Sequence, residues 1–197
     1  IWLHTLTRHQ VLQCDQTASQ RLSGSLYAAA LCRLFAVTHY YDHRYWRDFW
    51  QQSRQSAEPP QPPYRHFPAA LHTAETGEPQ LLRTYLNWLL DTPAYSDDTH
   101  PTLSRRLEAI GEYPRLSAQQ APVLSRFGSE ADAWIAQFDQ DWWQHSRDNW
   151  RQQHHHAQQA AQRLAALDVA AAEAEPDLEA ALERAWLTES VRNDHAA

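Results

Sequence analysis

A histidine, a proline and an arginine fall in a chemically useful order in Asp97-Asp98-Thr99-His100-Pro101-Thr102-Leu103-Ser104-Arg105-Arg106-Leu107. Proline is favoured in the first turn of a helix, so Pro101 is expected to open one and to hold His100 at its cap. An imidazole held there can project into a cleft and donate to an oxyanion or a carbonyl. Asp97 and Asp98 precede it, where a carboxylate can orient the second ring nitrogen. Arg106 can anchor the helix through a carboxylate elsewhere in the chain. Read from these residues alone, His100 is either such a donor or a helix cap without chemistry.

Other groupings are weighed the same way. His39 and His43 stand at i and i+4, the spacing of a helical zinc pair. A hydrolytic zinc helix carries Glu after its first histidine, and here that residue is Tyr40. Asp42 is expected to cap a new helix, which would part the two histidines at a wet helix end. In His154-His155-His156, successive side chains on a helix point about 100° apart, so they cannot share one ion. That tract is expected to be a solvated stretch of helix. Asp15 sits in mid-helix, where an aspartate ordinarily faces solvent. Cys14 beside it has no base or cation to make it reactive, and a core position is expected. No Ser/His/Asp order and no glycine-rich phosphate loop stands out.

The elements that must position these residues are read as helices. Trp2, Leu6, Val11, Leu12, Cys14 and Leu22 recur at helical spacing over 2–22. Gly24 is expected to stop that helix and Ser25 to cap the next, 26–38, whose apolar face is Leu26, Ala30, Leu31, Leu34 and Phe35. An aromatic helix is expected over 43–54, with Tyr45, Trp46, Phe49 and Trp50. Pro59, Pro60, Pro62 and Pro63 then form a stiff connector, because φ is locked and donors are missing. Short helices are expected over 67–75, from Pro79 with Leu81, Leu82, Tyr85, Leu86, Leu89 and Leu90 inward, over 101–110, and over 122–127. Gly128 to Asp132 combines a stop with a capping signal. A very long helix follows, with Trp134, Trp142, Trp143 and Trp150 in its first half. Pro176 is expected to open a last helix, 177–190, bearing Leu178, Leu182, Ala185 and Trp186.

Composition agrees with this pattern. The 197 residues include nine Trp, eight Tyr, five Phe and only four Gly, an aromatic, helix-favouring mixture large enough for a real core. Net charge is −7, and with no basic stripe nucleic acid is not an expected partner. Cys14 and Cys32 cannot make a disulfide framework, so a reducing compartment is the default. No run of about 18 apolar residues occurs, so no segment is read as a membrane span. The sequence has no Met and starts at Ile1, and it is expected to be part of a longer protein.

Tyr95 to Gly111 resembles the THP-x-L-x-x-R-L-x-A-L-G segment of zinc metalloendopeptidases of the CAAX prenyl protease and HtpX kind. Val11-Leu12-Gln13-Cys14-Asp15 resembles that family's E-x-x-A-D helix, which supplies the third zinc ligand. Tyr45 to Trp50 with the proline connector, Trp142-Trp143, Trp150, His154 and Arg163 to Leu167 are similar to segments of bacterial members. Leu182 to Glu189 resembles the first helix of a tetratricopeptide-like extension found in some of them. The resemblance covers most of the chain, and the THP…R segment is its most specific part.

The resemblance implies zinc-dependent proteolysis at a membrane. Two histidines and a glutamate base come from an HExxH helix, and a later glutamate completes the metal site. Carried residue by residue, His100 matches the histidine that steadies the transition state, Arg106 the conserved arginine, and Asp15 the aspartate after the ligand glutamate. Two departures stand out. The sequence contains no HExxH, and Val11 occupies the ligand position. Gln10 and Gln13 are neutral amides and poor substitutes for a carboxylate.

These readings predict an all-α fold. Residues 1–128 are expected to be the C-terminal part of a metallopeptidase-like helical domain, 129–175 a long helix, and 176–197 a short terminal helix that starts a helical-repeat extension. The expected function is that of a peptide- or protein-binding pseudoenzyme, a segment of a membrane-associated metallopeptidase-like protein with no cofactor of its own. A second reading is part of an active peptidase whose HExxH helix and zinc belong to the parent. A third is a helical interaction module that oligomerises through the Trp-rich helix. The resemblance places the parent in a bacterial inner membrane, with this segment on the cytoplasmic side and a polypeptide as its substrate or partner.

Overall fold

Alanine, leucine and glutamine favour helix, and Gly24, Gly77, Gly111 and Gly128 stand at helix ends. The computed structural model describes residues 2–95, 98–116, 127–173 and 177–192, and among these it is all-helical. The helices are α1 (Trp2–Arg21), α2 (Gly24–Tyr40), α3 (Trp46–Gln51), α4 (Pro63–Gly77), α5 (Leu81–Asp91), α6 (Leu103–Ile110), α7 (Gly128–Glu173) and α8 (Leu178–Arg192). A π-helical turn, Tyr41–Tyr45, joins α2 to α3, and a 3-10 turn, Gln52–Arg54, follows α3. The helix expected over 122–127 lies outside the described residues. No helix among the described residues is long and apolar enough to cross a membrane.

The chain forms two compact units. One comprises Ile1–Arg44 and Ala69–Arg126, the other Tyr45–Pro68 and Phe127–Ala197. The aromatic stretch from Tyr45 therefore groups with the long helix rather than with the residues before it.

In the first unit α2 supplies the core through Ala28, Ala29, Leu31, Cys32, Ala36 and Tyr40. Leu81, Leu82 and Leu86 of α5 and Leu103 and Leu107 of α6 complete it. The buried face of α2 is offset from the expected one, and Leu26 and Leu34 are exposed. The cap of α2 is Ser23, whose hydroxyl accepts the Leu26 N–H at 3.4 Å; Ser25 lies inside the helix. On α1, Leu6, Leu22 and Cys14 are exposed, and the buried side chain is Asp15. Val11 and Leu12, from the expected apolar face, are half-buried.

The second unit is an aromatic cluster. Phe49 and Trp150 are 1% and 0% exposed, and Trp142 stands within 5.7 Å of the rings of Phe49, Trp46 and Trp50. Polar ends in this cluster reach backbone. Trp150 Nε1 donates to the Ser56 carbonyl at 2.9 Å, and the Tyr45 hydroxyl donates to the Pro63 carbonyl. Helix α4 starts at Pro63, four residues before the expected start at 67, because proline lacks the N–H that a first helical residue leaves unbonded. Asp139 of α7 accepts the next N–H, from Tyr64, at 2.7 Å and so caps α4 from outside. Farther along, Leu167 and Leu187 are buried where α7 meets α8. Arg163–Glu183 and Arg184–Asp168 pairs flank them, each closing to 2.6 Å. Leu178, Leu182 and Trp186 of α8 are exposed.

Candidate functional site

Asp15 projects from mid-α1 and is 1% exposed. Arg106 on α6 grips it bidentately, Nε to Oδ2 at 2.8 Å and Nη2 to Oδ1 at 2.7 Å, across 91 residues of sequence. The Tyr27 hydroxyl of α2 donates to the same Oδ1 at 2.6 Å. The Arg106 guanidinium also lies over the Phe35 ring, 5.4 Å from its centroid. A fork-shaped cation matching both carboxylate oxygens is the strongest form of this contact. The mid-helix Asp15 is therefore buried and paired, against the ordinary expectation that it faces solvent.

The electrostatics follow from that geometry. The hydrogen bond to Asp15 raises the Arg106 pKa above its ordinary value, with burial opposing and the charges of Asp15 and Tyr27 adding. Burial, then the hydrogen bond and charge of Asp15, raise the Tyr27 pKa above 10.0. At neutral pH the cluster is one anion, one cation and a neutral phenol. A buried pair of this kind does little for net stability against apolar replacements, yet losing one partner is costly. Its product is position: α1, α2 and α6 are fixed at one point.

His100 sits just ahead of that point. Helix α6 begins at Leu103 rather than at Pro101. Its N-cap is Thr102, whose hydroxyl accepts the Arg105 N–H at 3.4 Å. Pro101 is buried and His100 is exposed. The helix ends as expected at Gly111, where φ is +70° and the Glu112 N–H returns to the Leu107 carbonyl at 3.2 Å. His100 Nδ1 lies 2.9 Å from the Thr99 hydroxyl. With that hydroxyl donating, the ring proton sits on Nε2, the tautomer that donates to a bound carbonyl. The loop leading to His100 is tethered by Arg8 of α1, which donates to the Asp98 carbonyl at 2.8 Å. Asp98 does not reach the imidazole through its carboxylate; that group accepts the Tyr95 N–H at 2.7 Å. Asp97 lies outside the described residues. Ser104 ties α6 to the Leu90 carbonyl at 2.6 Å, and Gln16 ties α1 to the Ala109 carbonyl at 3.2 Å.

The structure thus joins Asp15 to Arg106 and places His100 two residues before the cap of the same helix. Sequence reasoning missed Tyr27 and Arg8. Neither has a local signal, because their partners lie 12 and 90 residues away.

The histidine pair also needs correction. Asp42 does not cap a helix: α2 runs unbroken into the π-helical turn, and His39 and His43 share it. Their ring centroids are 4.2 Å apart at an interplanar angle of 70°. Burial, then the charge of His43, lowers the His39 pKa from 6.5, and Asp42 opposes this. In the long helix His155 and His156 are exposed, while His154 Nδ1 meets the Ser53 carbonyl at 2.9 Å.

No protein family, no curated protein and no solved structure matches this chain. Among the described residues no group of three or more His, Cys, Asp or Glu is placed to hold an ion.

Proposed function

We propose that this chain is a peptidase-like, polypeptide-binding segment of a membrane-associated zinc metallopeptidase relative, and that it binds without cleaving. The observation that carries this reading is the Asp15–Arg106 fork. Two of the segments that resemble the peptidase family are distant in sequence, and it is their matching aspartate and arginine that pair. A resemblance made of unrelated fragments gives no reason for those two side chains to meet.

In this reading Arg106 is a positioning residue, holding α6 against α1 through Asp15. His100, exposed at the approach to α6, donates through Nε2 to a main-chain carbonyl of the bound polypeptide. Leu6, Trp88 and Tyr95 are exposed apolar side chains of the same unit and offer contact surface to such a chain. With valine at the ligand position, no water is activated and the bound carbonyl is not attacked.

The test is casein cleavage by the purified full-length protein, with and without a strong chelator and added zinc. The expected result is no cleavage under any of these conditions. Cleavage that chelation abolishes and zinc restores would overturn the reading in favour of an active peptidase.

A further inference from the structure

We infer that His39 and His43 form a two-histidine site for a late first-row divalent ion of the Cu2+, Ni2+ or Zn2+ class, its remaining positions filled by water. The inference does not rest on the peptidase reading.

The continuous path of α2 into the π-helical turn puts the two imidazoles side by side. π-Helical turns are uncommon and recur at functional positions. Two nitrogens binding one ion at 2.0–2.1 Å in a tetrahedral arrangement lie about 3.3 Å apart. The ring centroids stand 4.2 Å apart, and side-chain torsions bring one nitrogen of each ring to that spacing on binding. Tyr85 and Trp88 of α5 flank His39 at 4.8 and 4.7 Å and limit its motion, so part of the ordering precedes binding. Neutral imidazole suits this class of ion.

The Asp42 carboxylate lies between the histidines in sequence and brings one acidic side chain to the turn. The nearest arginine in sequence, Arg44, is paired with Glu78 at 2.6 Å, which offsets its positive charge. The other histidine group serves as an internal control. His154, His155 and His156 point in different directions along α7, and His154 is engaged with backbone.

The experiment titrates Cu2+, Ni2+ and Zn2+ into the whole chain by calorimetry in a weakly coordinating buffer. Electron paramagnetic resonance of the Cu2+ form counts the nitrogen ligands. The variants are His39→Gln, His43→Gln and a triple His154→Gln/His155→Gln/His156→Gln chain. The expected result is one ion per chain with two nitrogen ligands, Cu2+ tightest. Binding weakens roughly tenfold or more in either single variant and is unchanged in the triple one. His43 is exposed, so its substitution leaves the core intact and the readout holds even if His39→Gln disturbs packing. Equal affinity in wild type and His43→Gln, or loss in the triple variant alone, would overturn the inference.

Discussion

In the first unit, the group that links α1 to α6 is a carboxylate taken out of water and matched to a guanidinium. In the second, the Tyr45, Phe49, Trp142 and Trp150 rings pack on one another, and the Tyr45 hydroxyl and Trp150 indole N–H end on nearby backbone. The aromatic arrangement gains from every square ångström it buries and tolerates small shifts of its partners. The ion pair gains little in net terms but permits a single geometry, since both carboxylate oxygens must meet the fork. The unit that carries His100 is thus the one pinned by a directional contact. The aromatic unit is built for bulk stability.

This contrast can be broken from either side. The largest effect is expected from Trp150→Ala, which empties a fully buried indole site and should cost about 4 kcal/mol in chemical denaturation. A loss under about 1 kcal/mol would mean that the aromatic cluster is not the core of its unit. Next is Arg106→Leu, which strands the Asp15 carboxylate and should cost about 3 kcal/mol. Adding Asp15→Leu should recover most of that loss, because neither charge is then buried alone. If the double variant is as unstable as the sum of the singles, the pair is not coupled.

A smaller effect is expected from Tyr27→Phe, about 2 kcal/mol for one hydrogen bond to a charged acceptor. It also changes the alkaline limb. The Tyr27 pKa is raised in the folded chain, so above about pH 10 the unfolded chain loses that proton first. Stability therefore falls as pH rises past 10, and Tyr27→Phe should remove part of that slope. The smallest effect is expected from Arg163→Ala and Arg184→Ala. Their ion pairs are exposed and should be invisible in thermal unfolding.

How far the sequence revealed this depends on how local each signal is. The all-α class, the long α7, and the end of α6 at Gly111 follow from composition and nearby residues. The union of α2 with α3 does not, because Asp42 looks like a cap and only tertiary packing carries the helix past it. The start of α4 was hidden in the proline run, since its cap, Asp139, comes from another helix. The exposure of Leu26 and Leu34 on α2 shows that helical spacing identifies an apolar stripe without fixing which part of it is buried. For the site, the residues alone give Asp15 an ordinary solvent-facing role and Arg106 an unnamed carboxylate partner; the resemblance singles out both residues without pairing them. Tyr27, the third member of the cluster, belongs to no motif and becomes visible only when α2 is in place.

The central claim is that the pinned unit presents His100 to a polypeptide. It is tested most directly by the affinity of fluorescently labelled β-casein for the full-length protein and for its His100→Ala variant, measured by anisotropy. The side chain is exposed, so folding should be unaffected. The account predicts saturable binding, insensitive to chelator, that weakens roughly tenfold in the variant with the melting temperature unchanged, as expected for a lost donor to a bound carbonyl. Equal affinity in the two proteins, or no saturable binding by either, would contradict it.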